Sequence, residues 1–263
     1  MSPRPSLSEL RDVTQPASTM NRRNAEHWLA RLVLRRVSLR VTALLIRTPV
    51  TANQLTGLMI VVGLVAAVPA ALSGWATAVI AWFLVLVYFL LDLCDGEVAR
   101  WRKQTSVTGV YLDRVGHYLV EAALLTAYGI RAGGQQWGMW STLGALTALF
   151  AILVKAETDL VDVARARKGL TVIQDGASAD TGIDAAAPRS GLLAQARRFV
   201  SMFRIHQITG ALESSALLVV AAVYDTVHGG DQGVRIFAGA MFVVAATMAV
   251  LHLISILSSR RLQ

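Results

Sequence analysis

Six long apolar stretches constrain the fold of this 263-residue chain more than any other feature. They lie at about 54–72, 75–94, 109–130, 137–155, 208–225 and 235–257. Most of them approach the roughly 20 residues that an α-helix needs to cross a bilayer. Charged residues make up only 16% of the chain, whereas a soluble domain carries about 25%. We therefore predict an all-α, polytopic membrane protein with six transmembrane helices.

Basic residues collect at alternate ends of these predicted spans. Arginines are dense before the first span, and Lys and Arg recur after the second and fourth spans and at the C-terminus. The connections after the first, third and fifth spans are nearly free of them. By the positive-inside rule, the basic side faces the cytoplasm. The sequence thus predicts a multi-pass protein of the cell inner membrane with both termini in the cytoplasm.

The predicted spans also divide the rest of the chain. Residues 1–23 are polar and predict a flexible cytoplasmic tail. In residues 24–48 apolar residues alternate with arginines, which is typical of an amphipathic helix in the lipid headgroup plane; a surface helix of a soluble domain is the alternative. Residues 49–258 form the six-helix transmembrane domain, with a polar cytoplasmic linker at 169–196. Residues 259–263 form a basic tail.

The net charge of +8 limits the classes of partner. A basic chain suits either nucleic acid or an anionic membrane surface. Because the chain is so hydrophobic, we favour membrane lipids and phosphate-bearing substrates, and we predict no nucleic-acid partner.

Ionisable residues cluster where the second predicted span ends and the third begins. Asp92 and Asp95 are three residues apart, and Asp113 and His117 are four apart, so each pair shares one helix face. The short connection makes the two helices antiparallel neighbours. Carboxylates this close repel one another unless a cation joins them, and hard oxygen ligands select Mg²⁺ or Mn²⁺. The pattern predicts a divalent-metal site at the inner membrane boundary.

Small residues flank this cluster. Gly96, Ala99 and Gly109 leave room for a flat group or for close backbone approach, and Arg100 can pair with a pyrophosphate. Each feature also has a plain structural interpretation: small residues pack helices, Arg100 anchors topology, and aspartates at helix ends are solvated. Their combination at this spacing favours a substrate-binding site over these structural interpretations.

Together these residues resemble the signature of the CDP-alcohol phosphotransferases, which reads D-x2-D-G-x2-A-R-x8-G-x3-D-x3-D. In this chain the pattern is Asp92-x2-Asp95-Gly96-x2-Ala99-Arg100-x8-Gly109-x3-Asp113-x3-His117, so seven of the eight fixed positions match. Upstream, Thr51, Asn53 and Thr56 resemble the T-P-N-x-x-T segment of the family, with Ala52 where proline is usual.

The resemblance implies a reaction. A substituted phosphate group would pass from a CDP-linked lipid donor, usually CDP-diacylglycerol, to a polar or phosphorylated alcohol in phospholipid biosynthesis, releasing CMP. Two Mg²⁺ or Mn²⁺ ions would bind Asp92, Asp95, Asp113 and His117. The implied donor-binding residues are Gly96, Ala99, Arg100, Gly109, Asn53 and Thr56. The resemblance also implies a homodimer. Glycerol phosphate, inositol phosphate and serine all stay open as acceptors.

His117 stands where the family has its fourth aspartate, the implied general base. A neutral imidazole can accept a proton or bind a metal, but it brings no negative charge, so a second ion would bind more weakly. Three interpretations stay open. His117 acts as base beside Asp113, or it binds metal or substrate while another group is the base, or the site has lost activity.

Two other functions stay open from the residues. The chain is either a catalytically degenerate membrane scaffold or a divalent-cation transporter, since intramembrane carboxylates also line ion paths. A transporter predicts carboxylates near the bilayer midplane, whereas these cluster at one boundary. Two further residues are ambiguous: Glu121 either orients the imidazole or serves a helix contact, and Lys155 either binds an acceptor phosphate or anchors topology.

Overall fold

The structure is a computed structural model that describes residues 5–16, 33–170, 208–258 and residue 262, and its regular elements are all helical. The described residues contain eight α-helices. In chain order they are α1 (Leu7–Thr14), α2 (Arg35–Leu45), α3 (Ala52–Ala71), α4 (Trp75–Trp101), α5 (Val107–Ala132), α6 (Met139–Arg167), α7 (Ala211–His228) and α8 (Gln232–Leu257). The predicted all-α class is confirmed.

Five of these helices are long and apolar enough to cross a membrane, namely α3, α4, α6, α7 and α8. This supports the prediction of a polytopic membrane protein. Helix α5, the predicted third span, has 26 residues but does not qualify, because ionisable residues such as Asp113, Arg114 and Glu121 lower its mean hydropathy. A crossing by α5 therefore stays a prediction.

Helix α5 lies inside the helix bundle. It packs against α3, α6, α7 and α8, and these contacts bury the side chain of Glu121 and most of the second half of the helix. Consecutive helices α4 and α5 both pack closely on α3, but their own backbones stay apart and the two helices meet through side chains. They are therefore neighbours across a gap between their backbones, and polar side chains fill this gap.

Glycines allow α3 and α6 to approach α5 closely. Gly63 of α3 faces Val120 of α5, and a Cβ atom at Gly63 would lie 2.5 Å from Val120 Cγ2. On the other side of α5, a Cβ at Gly144 of α6 would lie 2.8 Å from the Cα of Gly129. Backbones this close tolerate no side chain. The position of α5 between α3 and α6 thus depends on glycine at the contacts.

Gly144→Ala should destabilise the bundle by about 1–3 kcal/mol, because the added methyl group meets the α5 backbone, which cannot yield as a side chain can. Thermal unfolding in detergent measures the change. Gly239→Ala in α8 is the matched control, since nothing lies within 4 Å of its added Cβ. Equal melting temperatures for the two variants would contradict the proposed crossing.

The N-terminal region differs in part from expectation. Within the predicted flexible tail, residues 5–16 instead contain α1, whose Leu10 and Thr14 are buried. Ser6 caps this helix by accepting a hydrogen bond from the Glu9 amide at 3.1 Å. The polar composition does not predict this helix, because α1 is held in place by tertiary contacts with α2 and α4.

Other predicted segments are described only in part. Helix α2 falls within the predicted amphipathic helix 24–48, and its buried residues are polar: Arg35, Ser38 and Thr42. Residues 17–32, the linker from 171 onward and the basic tail apart from Leu262 lie outside the described residues.

Candidate active site

Two aspartates converge on one histidine across the gap between α4 and α5. Asp92 comes from α4, while Asp113 and His117 lie one turn apart on α5. The Nε2 atom of His117 is 3.3 Å from Oδ1 of Asp92 and 3.3 Å from Oδ1 of Asp113. One ligand atom from each residue lies within 4.8 Å of the other two. The structure thus brings together three of the four predicted metal ligands.

This geometry fits one divalent ion. Two ligands at right angles around Mg²⁺, each about 2.1 Å from the ion, lie roughly 3.0 Å apart, close to the 3.3 Å between imidazole and carboxylates. Carboxylates suit Mg²⁺ and Mn²⁺, although imidazole is the softer ligand. The Asp113 side chain is 41% exposed and that of Asp92 is 22% exposed, so an ion and a substrate phosphate can reach both carboxylates.

Asp95, the fourth predicted ligand, lies outside this convergent group. Its carboxylate is buried, and Oδ2 accepts a hydrogen bond of 2.6 Å from the Thr56 hydroxyl of α3. Thr56 therefore positions Asp95, a contact that the spacing of the motif does not reveal. A role for Asp95 on a second ion stays a proposal.

The predicted donor-binding residues form two further contacts. A Cβ at Gly109 would lie 3.1 Å from Asn53 Oδ1, so the start of α3 packs directly on the start of α5. A Cβ at Gly96 would lie 3.1 Å from Arg100 Nη1, so the guanidinium lies over this glycine. Ala99 is half-buried on the same helix. Glycine at both positions leaves the space that these polar groups occupy.

The segment before α3 has a local reason for its conformation. The Thr51 hydroxyl accepts a hydrogen bond from the Gln54 amide, and Gln54 Oε1 accepts one of 2.9 Å from the Thr51 amide. This capping box starts the helix and so orients Asn53 and Thr56 in its first turns. Ala52 occupies the first helical position, where proline is favoured but not required.

Arg100, predicted to hold a phosphate, also contacts the N-terminal helix. Its Nε atom donates a hydrogen bond of 2.6 Å to the backbone oxygen of Thr14 at the end of α1. The prediction did not include this contact, because residues 1–23 were assigned to a flexible tail. It brings α1 next to the candidate donor site.

Sequence reasoning missed the role of Glu97. Its side chain is fully buried and accepts hydrogen bonds from Gln15 (2.8 Å), Ser38 (2.7 Å) and Thr42 (2.7 Å), with Arg35 Nη1 at 3.8 Å. Glu97 therefore ties the α1 end and α2 to the motif helix. A signal was present: a carboxylate inside the motif at membrane depth requires partners, and Ser38 and Thr42 are spaced to share a face.

A second polar set joins α5 to α6. Lys155 contacts Glu121 at 2.6 Å, Arg114 contacts Asp159 at 3.5 Å, and the Tyr118 hydroxyl donates to Asp159 at 2.5 Å. The pairing favours the helix-contact interpretation of Glu121. It also engages Lys155, so an acceptor phosphate would have to compete with Glu121 for this ammonium group.

The part of the chain that carries the candidate site matches a known family model. Residues 49–145 match the family model described as CDP-alcohol phosphatidyltransferase. This segment contains every predicted site residue, from Asn53 to His117. Over this segment the chain is similar to the CDP-alcohol phosphatidyltransferase family. Its members are CDP-alcohol phosphotransferases, and the resemblance seen in the motif is confirmed.

One curated relative is similar to half of the chain. The bifunctional IPC transferase and DIPP synthase of Thermococcus kodakarensis is 28% identical over 132 residues, which are 50% of this chain and 29% of that protein. The chain thus matches less than a third of the relative's length. The similarity is to a class of enzyme, and the activity, substrates and partners of this chain are proposals.

Proposed function

We propose that this chain transfers a substituted phosphate group from a CDP-linked lipid to an alcohol and releases CMP. The observation that supports it best is the convergence of Asp92 and Asp113 on Nε2 of His117 within the segment that matches the family. CDP-diacylglycerol is the first donor to test, and a polar or phosphorylated alcohol is the acceptor class. The reaction would serve phospholipid biosynthesis.

Asp92 and Asp113 would hold Mg²⁺ or Mn²⁺, and the single lone pair on Nε2 of His117 would serve either as a third ligand or as the base, not as both at once. An ion bound there supplies positive charge to the donor diphosphate and so favours departure of CMP. Asp95, held by Thr56, is the proposed ligand for a second ion. Arg100 is the proposed partner of a donor phosphate. The cytidine would lie against Gly96 and Gly109, in space that Arg100 and Asn53 would have to leave.

The proposed transfer forms one bond at phosphorus, breaks another and moves one proton. The acceptor hydroxyl oxygen forms a bond to the β-phosphorus of the donor, and the bond from that phosphorus to the oxygen bridging it to CMP breaks, leaving its electron pair on CMP. His117 is the proposed acceptor of the hydroxyl proton, through Nε2, because this nitrogen faces the two aspartates. Asp113, one turn away, stabilises the imidazolium that results.

The membrane arrangement is proposed from the charge pattern. The basic flanks place the site and both termini on the cytoplasmic side of the inner membrane, with α5 as a sixth span. The acyl chains of the donor would approach from the bilayer. A homodimer is proposed from the family resemblance alone.

Metal-dependent CMP release tests the function directly. The full-length protein in nanodiscs receives CDP-diacylglycerol and one of glycerol phosphate, inositol phosphate or serine, with Mg²⁺, Mn²⁺ or EDTA. We expect CMP and a new lipid with one acceptor, and none with EDTA. Divalent-cation uptake into vesicles without CMP release would favour a transporter instead. Metal binding without CMP from any donor, in both wild type and His117→Asp, would favour a degenerate scaffold.

Variants of His117 separate its possible roles. His117→Ala should lower kcat by about 10²–10⁴-fold if the imidazole is the base. His117→Asp introduces the residue usual in the family and should recover part of that loss. Mn²⁺ affinity, measured by electron paramagnetic resonance, distinguishes the roles further: His117→Ala leaves the affinity unchanged if His117 is only the base and weakens it if His117 is a ligand.

A further inference from the structure

Tyr88 lies beside the candidate active site but outside the family pattern. It precedes Asp92 by one helical turn on α4, so both side chains leave the same face. Its side chain is fully buried. Its hydroxyl lies 2.5 Å from Nδ1 of His117, and the two rings meet edge to face with centroids 5.8 Å apart.

Both ring nitrogens of His117 are therefore engaged. Nδ1 contacts the Tyr88 hydroxyl, while Nε2 faces Asp92 and Asp113 at 3.3 Å each. A histidine ring has two inequivalent nitrogens, and the hydrogen bond made by one determines which tautomer the other presents. Histidines that bind metals usually have such a second partner. A tyrosine hydroxyl can accept as well as donate, so it can receive the Nδ1 proton.

The contact with Tyr88 matters because position 117 holds a histidine where the family pattern has an aspartate. The two oxygens of an aspartate are chemically equivalent, so a carboxylate at position 117 would present the same group after a half-turn. An imidazole would present either a lone pair or an N–H, and only the lone pair can bind an ion or take a proton. A histidine at this position consequently needs a partner that selects its orientation.

We propose that Tyr88 is a positioning residue that accepts a hydrogen bond from Nδ1 of His117 and so holds the Nε2 lone pair between Asp92 and Asp113. The pair Tyr88–His117 would take the place of the fourth aspartate of the family pattern. The catalytic part of this inference depends on the proposed function, whereas the orientation of the ring does not.

Nitrogen-15 NMR of histidine-labelled protein with Mg²⁺ tests the orientation without using activity. The chain has five histidines, and the signals of His117 are those lost in His117→Asp. We expect Nδ1 protonated and Nε2 unprotonated in the wild type, and a mixture of tautomers in Tyr88→Phe. Tyr128→Phe is the matched control, because Tyr128 is also buried but its hydroxyl bonds to Ser214 at 3.2 Å; it should leave the spectrum of His117 unchanged.

Two spectral outcomes would overturn the proposal. One is a wild-type His117 protonated on Nε2, a result that needs no variant to fold. The other is a Tyr88→Phe spectrum identical to that of the control.

Activity provides an independent readout. Tyr88→Phe should lower kcat for CMP release by about 10–100-fold in the His117 protein and have little effect in the His117→Asp background, where Nδ1 is absent. An equal loss in both backgrounds would show a merely structural role and would contradict the proposal. If the wild type releases no CMP under any condition, the proposed function fails, but the NMR result still decides the orientation of His117.

Discussion

Asp92→Asn should lower metal-dependent CMP release by about 10³-fold or more. The amide keeps the shape of the side chain but removes the charge that, with Asp113, would hold the ion. Stabilisation of transition-state charge by a metal is worth several kcal/mol, and each 1.4 kcal/mol is a tenfold change in rate. Initial rates over a range of Mn²⁺ concentrations measure both the loss of rate and the loss of affinity.

Asp231→Asn is the control for this variant. Asp231 is half-exposed, pairs only loosely with Arg235 at 3.9 Å, and lies beside Gly74 at the start of α4, whereas Asp92 lies towards the end of that helix. This variant should keep wild-type rates. If Asp92→Asn also keeps wild-type rates and Mn²⁺ dependence, the proposal that an ion binds between α4 and α5 is contradicted.

Glu97→Ala should destabilise the protein by about 3–5 kcal/mol, because it removes the acceptor for several buried donors at once. Gln15, Ser38 and Thr42 would all lose this acceptor, and Arg35 would lose its contact with the Glu97 carboxylate. For a protein of this size the melting temperature should fall by roughly 6–20 °C. Thermal unfolding in nanodiscs measures it.

Loosening of α1 should accompany this loss. Cleavage by trypsin at Arg11, within α1, should become faster, because Gln15 no longer holds the end of that helix on α4. Glu9→Ala on the exposed side of α1 is the control and should change neither property. Glu97→Gln should lie between the two, since its amide oxygen still accepts from some of the donors. A Glu97→Ala protein as stable as the control would show that these hydrogen bonds contribute little.

Much of the site could be predicted because it depends on spacing along single helices. Asp113 and His117 are four residues apart, so they share a face wherever α5 lies, and in the structure their ligand atoms lie within 4.8 Å of that of Asp92. The hydrophobic stretches likewise predicted the long helices. Helix α5 is the exception among the predicted spans, since its ionisable residues, some of which belong to the candidate site, lower its mean hydropathy.

Contacts between helices could not be predicted in this way. The face shared by Asp92 and Asp95 suggested that both bind metal, yet Asp95 is bonded to Thr56 and only Asp92 joins the group on His117. Tyr88 lies one turn before the motif, but nothing in its spacing identifies His117 as its partner. These outcomes depend on how far one helix is rotated and shifted against the next.

By itself, the sequence determined the helical class, the order of the apolar segments, the resemblance to the CDP-alcohol phosphotransferases and the set of candidate site residues. Each of these follows from local periodicity or from a short motif. Tertiary structure decided which of those residues meet, and it ordered α1 through Gln15 and Glu97. The physical reason is that rotation between helices is set by packing at distant contacts, such as Gly63 on Val120 and Gly144 on Gly129, and no local pattern records which residues meet there.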